Sequence, residues 1–472
     1  MKRISTFIIA IALLLGLSQC KKQETPNTTE TDGKLVHISV NVNHGSKHTV
    51  NPDGTYSFQN GDLLYVGNNG RYIGTLVYQS SGTFIGDIYA PSTTDYLHFY
   101  FVGGLEPSVT PVTAEGGATP TTNFTVNISN QADKLPVLSY GHSSQNYTTA
   151  TATYSCRLDN KCALVKFVPS EGTSDPITIS GMKTTAAINF SAPGITPIIT
   201  PGNITLYSAN ETEKWAVLLE QDAVSSSIVT INGTVAAMAS VPAIANNNMY
   251  SSTGVSITRS TVIEINDSNS DDARLSFNNE ATENPILRLT GNINWGYMYG
   301  SNHAVTRNDG IIDFNGHTAT NMFLQNNELG ESITLMNGMI YESDNEIGID
   351  GNNGWSDLYH GTVVLENMTI ASNKIFTDGH EYIIRSGTYF GICNATQNGY
   401  PGTVIIYGGY FGEFFNGAES GCSNGTYVLY GGKYKFKPTT TSYYNVTIPS
   451  GYSVKSNTDS DSGIYPWIVS AD

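Results

Sequence analysis

Charge is scarce in this chain, and positive charge is scarcest. Of 472 residues only 13% are charged, with 23 Lys and Arg against 40 Asp and Glu, a formal net charge of −17. That balance argues against a nucleic-acid backbone or an anionic membrane surface as partner. Cysteine is sparse too: five residues, with no C-x-x-C and no Cys/His metal spacing, so no zinc site or redox dithiol is readable. No motif calls for a cofactor. Apart from Phe7 to Leu17 no apolar run approaches membrane length.

What is present is Gly, Thr, Ser and Asn around a recurring apolar pair. The signature φ-x-φ-x-[Gly/Asn/Asp/Ser] appears at Ile263/Ile265, Leu287/Leu289, Ile312/Phe314, Ile333/Leu335, Val363/Leu365, Tyr382/Ile384, Val404/Ile406 and Tyr427/Leu429. From 265 to 429 the steps are 24, 25, 21, 30, 19, 22 and 23 residues. A period near 23 marks a repeat architecture whose units bury their apolar face only against neighbours. Alternation makes each copy a strand, and no 3.6-residue pattern competes with it. The spacing therefore predicts a parallel β-solenoid over 259–438, with 439–472, which breaks the period, as its C-terminal cap.

At the other end, Met1-Lys-Arg3 and the run Phe7–Leu17 have the form of an export signal. Leu17-Ser-Gln-Cys20 resembles a bacterial lipobox, with Gln19 where a small residue is usual. The expectation is a signal peptide over 1–20, lipid on Cys20, a disordered tether over 21–33, and anchoring in the outer membrane facing the cell surface. Four cysteines remain. Cys156 and Cys162 flank a five-residue stretch that reads as a hairpin tip, and Cys393 and Cys422 lie 29 apart in bends of adjoining coils. An even remainder in an exported protein favours two disulfides, with free thiols as the alternative.

Between tether and solenoid, short alternating runs such as Val36, Ile38, Val40 and Val42 are punctuated by Asp53-Gly and Asn60-Gly, which is sandwich patterning. Phe58-Gln-Asn-Gly-Asp-Leu-Leu-Tyr-Val66, Cys162-Ala-Leu-Val-Lys-Phe-Val168, Ile177-Thr-Ile-Ser-Gly181 and Lys214-Trp-Ala-Val-Leu-Leu219 resemble the fimbrillin-like (Mfa-like) lipoproteins of Bacteroidales. The resemblance implies two transthyretin-like β-sandwiches, over 34–170 and 171–258. It also implies a shaft subunit that exchanges its first strand after proteolysis at a basic residue. Here no Arg lies between Arg3 and Arg71 and a solenoid follows where a donor strand would be, so a shaft role is not expected. Ile311-Ile-Asp-Phe-Asn-Gly-His-Thr318, Tyr407-Gly-Gly-Tyr-Phe411 and Tyr430-Gly-Gly-Lys-Tyr434 resemble right-handed, pectin-lyase-like β-helices, which implies about eight coils and leaves function open. The expected fold is all-β.

Residues that could carry chemistry are few. Glu264, Arg288 and Asp313 project from successive coils and could form an acid/base ladder or, more simply, a salt-bridge stack. Asp267–Asp272 and Asn457–Asp461 have calcium-ligand types but lack the Gly and bidentate Glu of an EF-hand loop, so they read as solvated turns. The longest coil carries an insertion with Trp355, Asp357 and Tyr359, near Trp295, Tyr297 and Tyr299. Aromatic faces beside acids suit sugars, and long loops on rigid scaffolds are where binding concentrates. No catalytic set and no metal site is assigned. In the later coils Val364, Ile383, Ile405 and Val428 would form an exposed apolar strip, and the tail 439–472 is expected to fold back over it.

The resulting expectation is a surface lipoprotein for adhesion or for glycan or protein binding, with fimbrial subunits as further partners. The alternatives are a carbohydrate-active enzyme, lyase or glycoside hydrolase, and a structural fimbrial accessory.

Overall fold

The computed structural model describes residues 34–44, 58–79, 82–91, 94–245, 249–295, 305–307, 309–320, 322–324, 332–341, 348–349, 361–371, 381–391, 402–412, 425–441 and 444–472. Nearly all of them form or connect β-strands. The helical exceptions among the described residues are Ser270–Asn278 and a single 3-10 turn at Glu115–Gly117.

The first unit is a closed barrel, where two open sheets were expected. Its strands run in the order Leu35–His44, Thr83–Tyr89, Arg71–Tyr78, Leu63–Asn68, Tyr96–Gly103, Val137–Asn146 and Thr153–Asn160. Closure comes from Leu35–His44, which pairs antiparallel with Thr83–Tyr89 and parallel with Thr153–Asn160, and so removes both sheet edges. Its alternation is the reason it fits: Ile38 and Val40 point inward and are fully buried. Asn69-Gly70, both at positive φ, makes the two-residue turn that matches strand twist.

The second unit stacks two four-stranded sheets. One has the order Pro201–Thr205, Ile177–Lys183, Val224–Ile231, Thr234–Val241, and the other Tyr207–Ser208, Lys214–Leu219, Cys162–Pro169, Met249–Ile257. Cys162–Pro169 lies before residue 170 in the chain, yet it hydrogen-bonds to Lys214–Leu219 and Met249–Ile257. Asn123–Asn127 likewise pairs with Thr185–Asn189. One buried cluster, with Tyr65, Tyr72 and Tyr100 from the barrel and Phe167, Ile179 and Leu218 from the second unit, runs across both.

The C-terminal part is a β-solenoid. Each of the eight signature copies falls on, or within one residue of, a strand of one parallel ladder from Val262–Ile265 to Gly425–Leu429. Tyr444–Thr447 adds one more parallel strand. The signature closes on Asn or Gly because the wall ends in a left-handed turn, as at Gly316, Asn337 and Asn367; elsewhere the next residue takes that conformation, as at Gly387, Gly409 and Gly432. Inside, Tyr389, Phe411 and Tyr434 stack with centroids 5.3 and 5.0 Å apart, close to the rung spacing. Tyr389 and Tyr434 each donate their hydroxyl to a carbonyl three residues back, so no phenol is buried unsatisfied there.

Both ends of the solenoid are covered. At the first, helix Ser270–Asn278 packs Ala273 and Phe277 into the solenoid core. At the other, Trp467–Ala471 pairs antiparallel with Lys433–Tyr434 and with Tyr452–Ser456, so the tail extends the second wall as a hairpin. It does not fold back across the apolar strip, contrary to the sequence expectation. The sheet of the second unit lies along that wall instead, with Ile228, Val235 and Met238 against Ile286, Ile311 and Met336 in the first coils and Val224 lining a groove with Ile383 farther on.

Candidate functional site

Strand register decides which projecting side chains share a row. Ile286, Ile311, Thr334, Val364, Ile383, Ile405 and Val428 form one continuous row along the first wall. Glu264, Arg288, Asp313 and Met336 align in the row beside it. The change from charged to aliphatic along one line, expected from the sequence, is therefore a two-residue shift in where the signature sits on its strand. The apolar row begins near the start of the solenoid.

At that start the row is sealed. Ile286 and Ile311 are fully buried against Ile228 and Val235, with Met336 beside them; each such side chain contributes about 1.5–3 kcal/mol. Arg288 reaches across the seam, its Nε donating to Asp313 Oδ2 at 3.1 Å and its Nη2 to the carbonyl of Val235. The Arg288 and Asp313 side chains are only 16% and 4% exposed. Asp313 also accepts from the Asn315 backbone and from Asn337 Nδ2. Arg288 and Asp313 thus form a buried clamp between two units, while Glu264 stays exposed. Arg385 repeats the device four coils on, pairing with Glu366 at 3.2 Å and donating to Ser180 Oγ at 3.4 Å.

Beyond Arg385 the seam opens into a groove of about 380 Å3. The solenoid supplies Ile383, Arg385, Tyr407 and Tyr430; the second unit supplies Val224, Ser225, Asp222 and Pro201. Tyr407 and Tyr430 stack at 5.0 Å, and Tyr452 of the terminal hairpin meets Tyr430 edge-on at 5.5 Å. The Tyr452 hydroxyl accepts from the Ile199 backbone N–H at 3.2 Å and fixes that end. Burial, then the Tyr430 hydroxyl, hold Tyr407 above the ordinary phenol range, so it stays a neutral donor and acceptor. On the opposite wall the 221–226 segment is held by buried Gln221, whose Oε1 accepts from the Lys183 N–H at 3.0 Å. The groove combines apolar side chains, aromatic edges, serine hydroxyls, the Asp222 carboxylate, the Gln221 amide and the cations Lys183 and Arg385, the composition of a ligand site at a domain boundary.

Other sequence-selected residues have different roles. Trp295 is 1% exposed, its ring 5.3 Å from the Arg274 guanidinium and its carbonyl accepting from Arg274 Nη1. It is a core residue, as the helix brings a buried Arg over its face. Tyr297, Tyr299, Trp355, Asp357 and Tyr359 lie outside the described residues, as do Cys20, Cys393 and Cys422. Cys156 and Cys162 are buried free thiols, a correction to the hairpin-tip disulfide. The strands that carry them diverge into the barrel and the second unit, and Cys162 Sγ donates to Asn160 Oδ1. Burial pushes both thiols up to about 12.

Neither acidic loop is a cation cage. Asp267 Oδ1 accepts the Asn294 N–H, and Asp459 and Asp461 both pair at 2.8 Å with Lys433. Among the described residues no three His, Cys, Asp or Glu converge as metal ligands, and no helix is long and apolar enough to cross a membrane. Val224, Ser225 and Asp222 were missed by sequence reasoning, since only tertiary docking brings them opposite the tyrosines.

No family model and no curated protein matches the sequence. Solved structures do. A protein of Bacteroides uniformis named as a cell adhesion candidate is 13% identical, covering 47% of this chain and 96% of its own, with a TM-score of 0.30. A protein of Bacteroides ovatus with a similar name is 14% identical over 48% of this chain and 96% of its own, at 0.29. A fimbrial protein of Bacteroides ovatus is 13% identical over 47% of this chain and 49% of its own, at 0.24.

Proposed function

We propose that this chain is a non-catalytic binding protein of the cell surface, tethered through lipid on Cys20 in the outer membrane, that takes a glycan or protein ligand in the groove between the second unit and the solenoid. The observation that carries the reading is the fate of the projecting charges. Arg288, Asp313, Glu366 and Arg385, the groups an acid/base site on the solenoid wall would use, are spent on holding the second unit in place. Adjacent to them the seam leaves an amphipathic groove lined by hydroxyls, the Gln221 amide, the Asp222 carboxylate and the cations Lys183 and Arg385. Such a set orients a ligand by hydrogen bonds and aromatic contact. In this reading the two N-terminal units serve as a stalk, the solenoid has eight coils and a cap, and fimbrial subunits are further partners.

The test is a glycan array and a protein-capture assay with the whole protein, run beside a reducing-sugar assay, for wild type, Tyr407→Ala and Tyr430→Ala. Binding that both variants lose while the fold is retained, without sugar release, supports the reading. Sugar release by wild type, or binding indifferent to both substitutions, overturns it.

A further inference from the structure

A second concavity lies on the barrel, far along the chain from the seam. It has a volume of about 410 Å3 and is lined on the outer face of strands Val137–Asn146 and Thr153–Asn160 by Tyr140, His142, Ser144, Arg157, Asp159 and Lys161 among others. Its backbone is pinched: a Cβ on Gly141 would sit 2.0 Å from the Arg157 carbonyl oxygen, so the two strands approach closely only because glycine is there.

The charge of this site runs against the rest of the chain. In a protein of net charge −17, two cations face it and one carboxylate answers them. Asp159 meets Arg157 at Nε, at 3.3 Å, and the Arg157 side chain is 70% exposed. Lys161 has no carboxylate within 4.0 Å among the described residues; its Nζ stands 5.8 Å from the Tyr140 ring centroid. Tyr140 is itself fixed by a 2.8 Å hydrogen bond with His98 Nδ1, the two rings stacked. Ser144 and Ser155 hydroxyls meet at 2.7 Å on the far rim. The arrangement offers a fork and an ammonium for an anion, a held aromatic ring beside them, and hydroxyls with a carboxylate for neutral hydrogen-bonding groups.

We propose that this barrel pocket binds an acidic sugar, its carboxylate received by Lys161 and Arg157 and its hydroxyls by Asp159 and the serine pair. The inference deepens the reading of the chain as a surface binding protein but uses a site independent of the seam. An inorganic anion would satisfy the cations alone; a sugar acid also uses the hydroxyl rim and the ring, which is why the sugar is the ligand assigned.

Titration of the whole protein with glucuronate, N-acetylneuraminate, glucose and inorganic sulfate tests it. The expected result is saturable binding of the two acids, weakened by added salt as screening requires, and none of glucose. Lys161→Met and Arg157→Gln should each weaken acid binding about tenfold or more, while Lys161→Arg stays within about threefold of wild type. Both positions are on the surface, so melting should not move; if Lys161→Met fails to fold, Lys161→Gln replaces it. Tyr407→Ala should leave acid binding untouched, so loss at the groove and loss here are separable. Glucose binding as well as the acids, sulfate displacing them fully at equal concentration, or acids binding Lys161→Met normally would each overturn the proposal.

Discussion

The two ends of the seam are built from the same two sheets and behave as opposites. Where Ile228, Val235 and Met238 meet Ile286, Ile311 and Met336, every projecting position is filled and the clamp Arg288–Asp313 is buried. Four coils on, the same wall presents Ile383, Ile405 and Val428 half-covered, and the facing strand offers Val224 and serines. Smaller side chains on one strand convert a sealed interface into a groove. The packing is closed at the first end and open at the second.

The largest break in that comparison should come from Arg288→Ala. It strands Asp313, a carboxylate whose side chain is 4% exposed, and removing one partner of a buried pair costs about 3–5 kcal/mol. A solvent-exposed pair would be worth only about 1 kcal/mol or less; urea unfolding distinguishes the two. Next is Ile228→Ala at the sealed end, where a 1%-exposed side chain is lost and about 2–4 kcal/mol is expected. On the same strand Val224→Ala, at the open end, should cost less than about 1 kcal/mol. Equal losses at 228 and 224 would erase the distinction between the ends.

The smallest effect is a pH dependence outside the seam. Lys433, then Asn457, hold the Asp461 carboxyl below the ordinary carboxylate range. A depressed folded pKa contributes stability that is present above the unfolded value and lost as pH falls through the folded one. Amide protection of the hairpin Tyr452–Ser456 and Trp467–Ala471 should therefore hold from neutral pH to about 5 and decline below about 4. Hydrogen exchange on the hairpin resolves the decline.

Much of the solenoid was legible because its core positions repeat: Leu287, Ile312, Leu335 and Leu365 stack one above another, and the Asn and Gly at their turns answer a backbone demand. The aromatic stack at Tyr389, Phe411 and Tyr434 follows from the same spacing. What covers the wall was not legible, since the alternation around Ile228 says only that one face is apolar and nothing about where it docks. For the same reason the tail was misread as the cover. Trp295 looked like a sugar platform because sequence shows aromaticity but not burial, and the barrel's closure depends on a parallel pairing between residues more than a hundred positions apart. The groove was half visible, in its tyrosines, and lacked its other wall.

The central claim is that the second unit is docked on the solenoid as one body. Spin labels on exposed positions of the two units, at Asn232 and Thr388, with Cys20, Cys393 and Cys422 replaced by serine, measure it directly. The account predicts one narrow distance distribution in wild type that broadens in Arg288→Ala. A broad distribution in wild type, unchanged by that substitution, would contradict it.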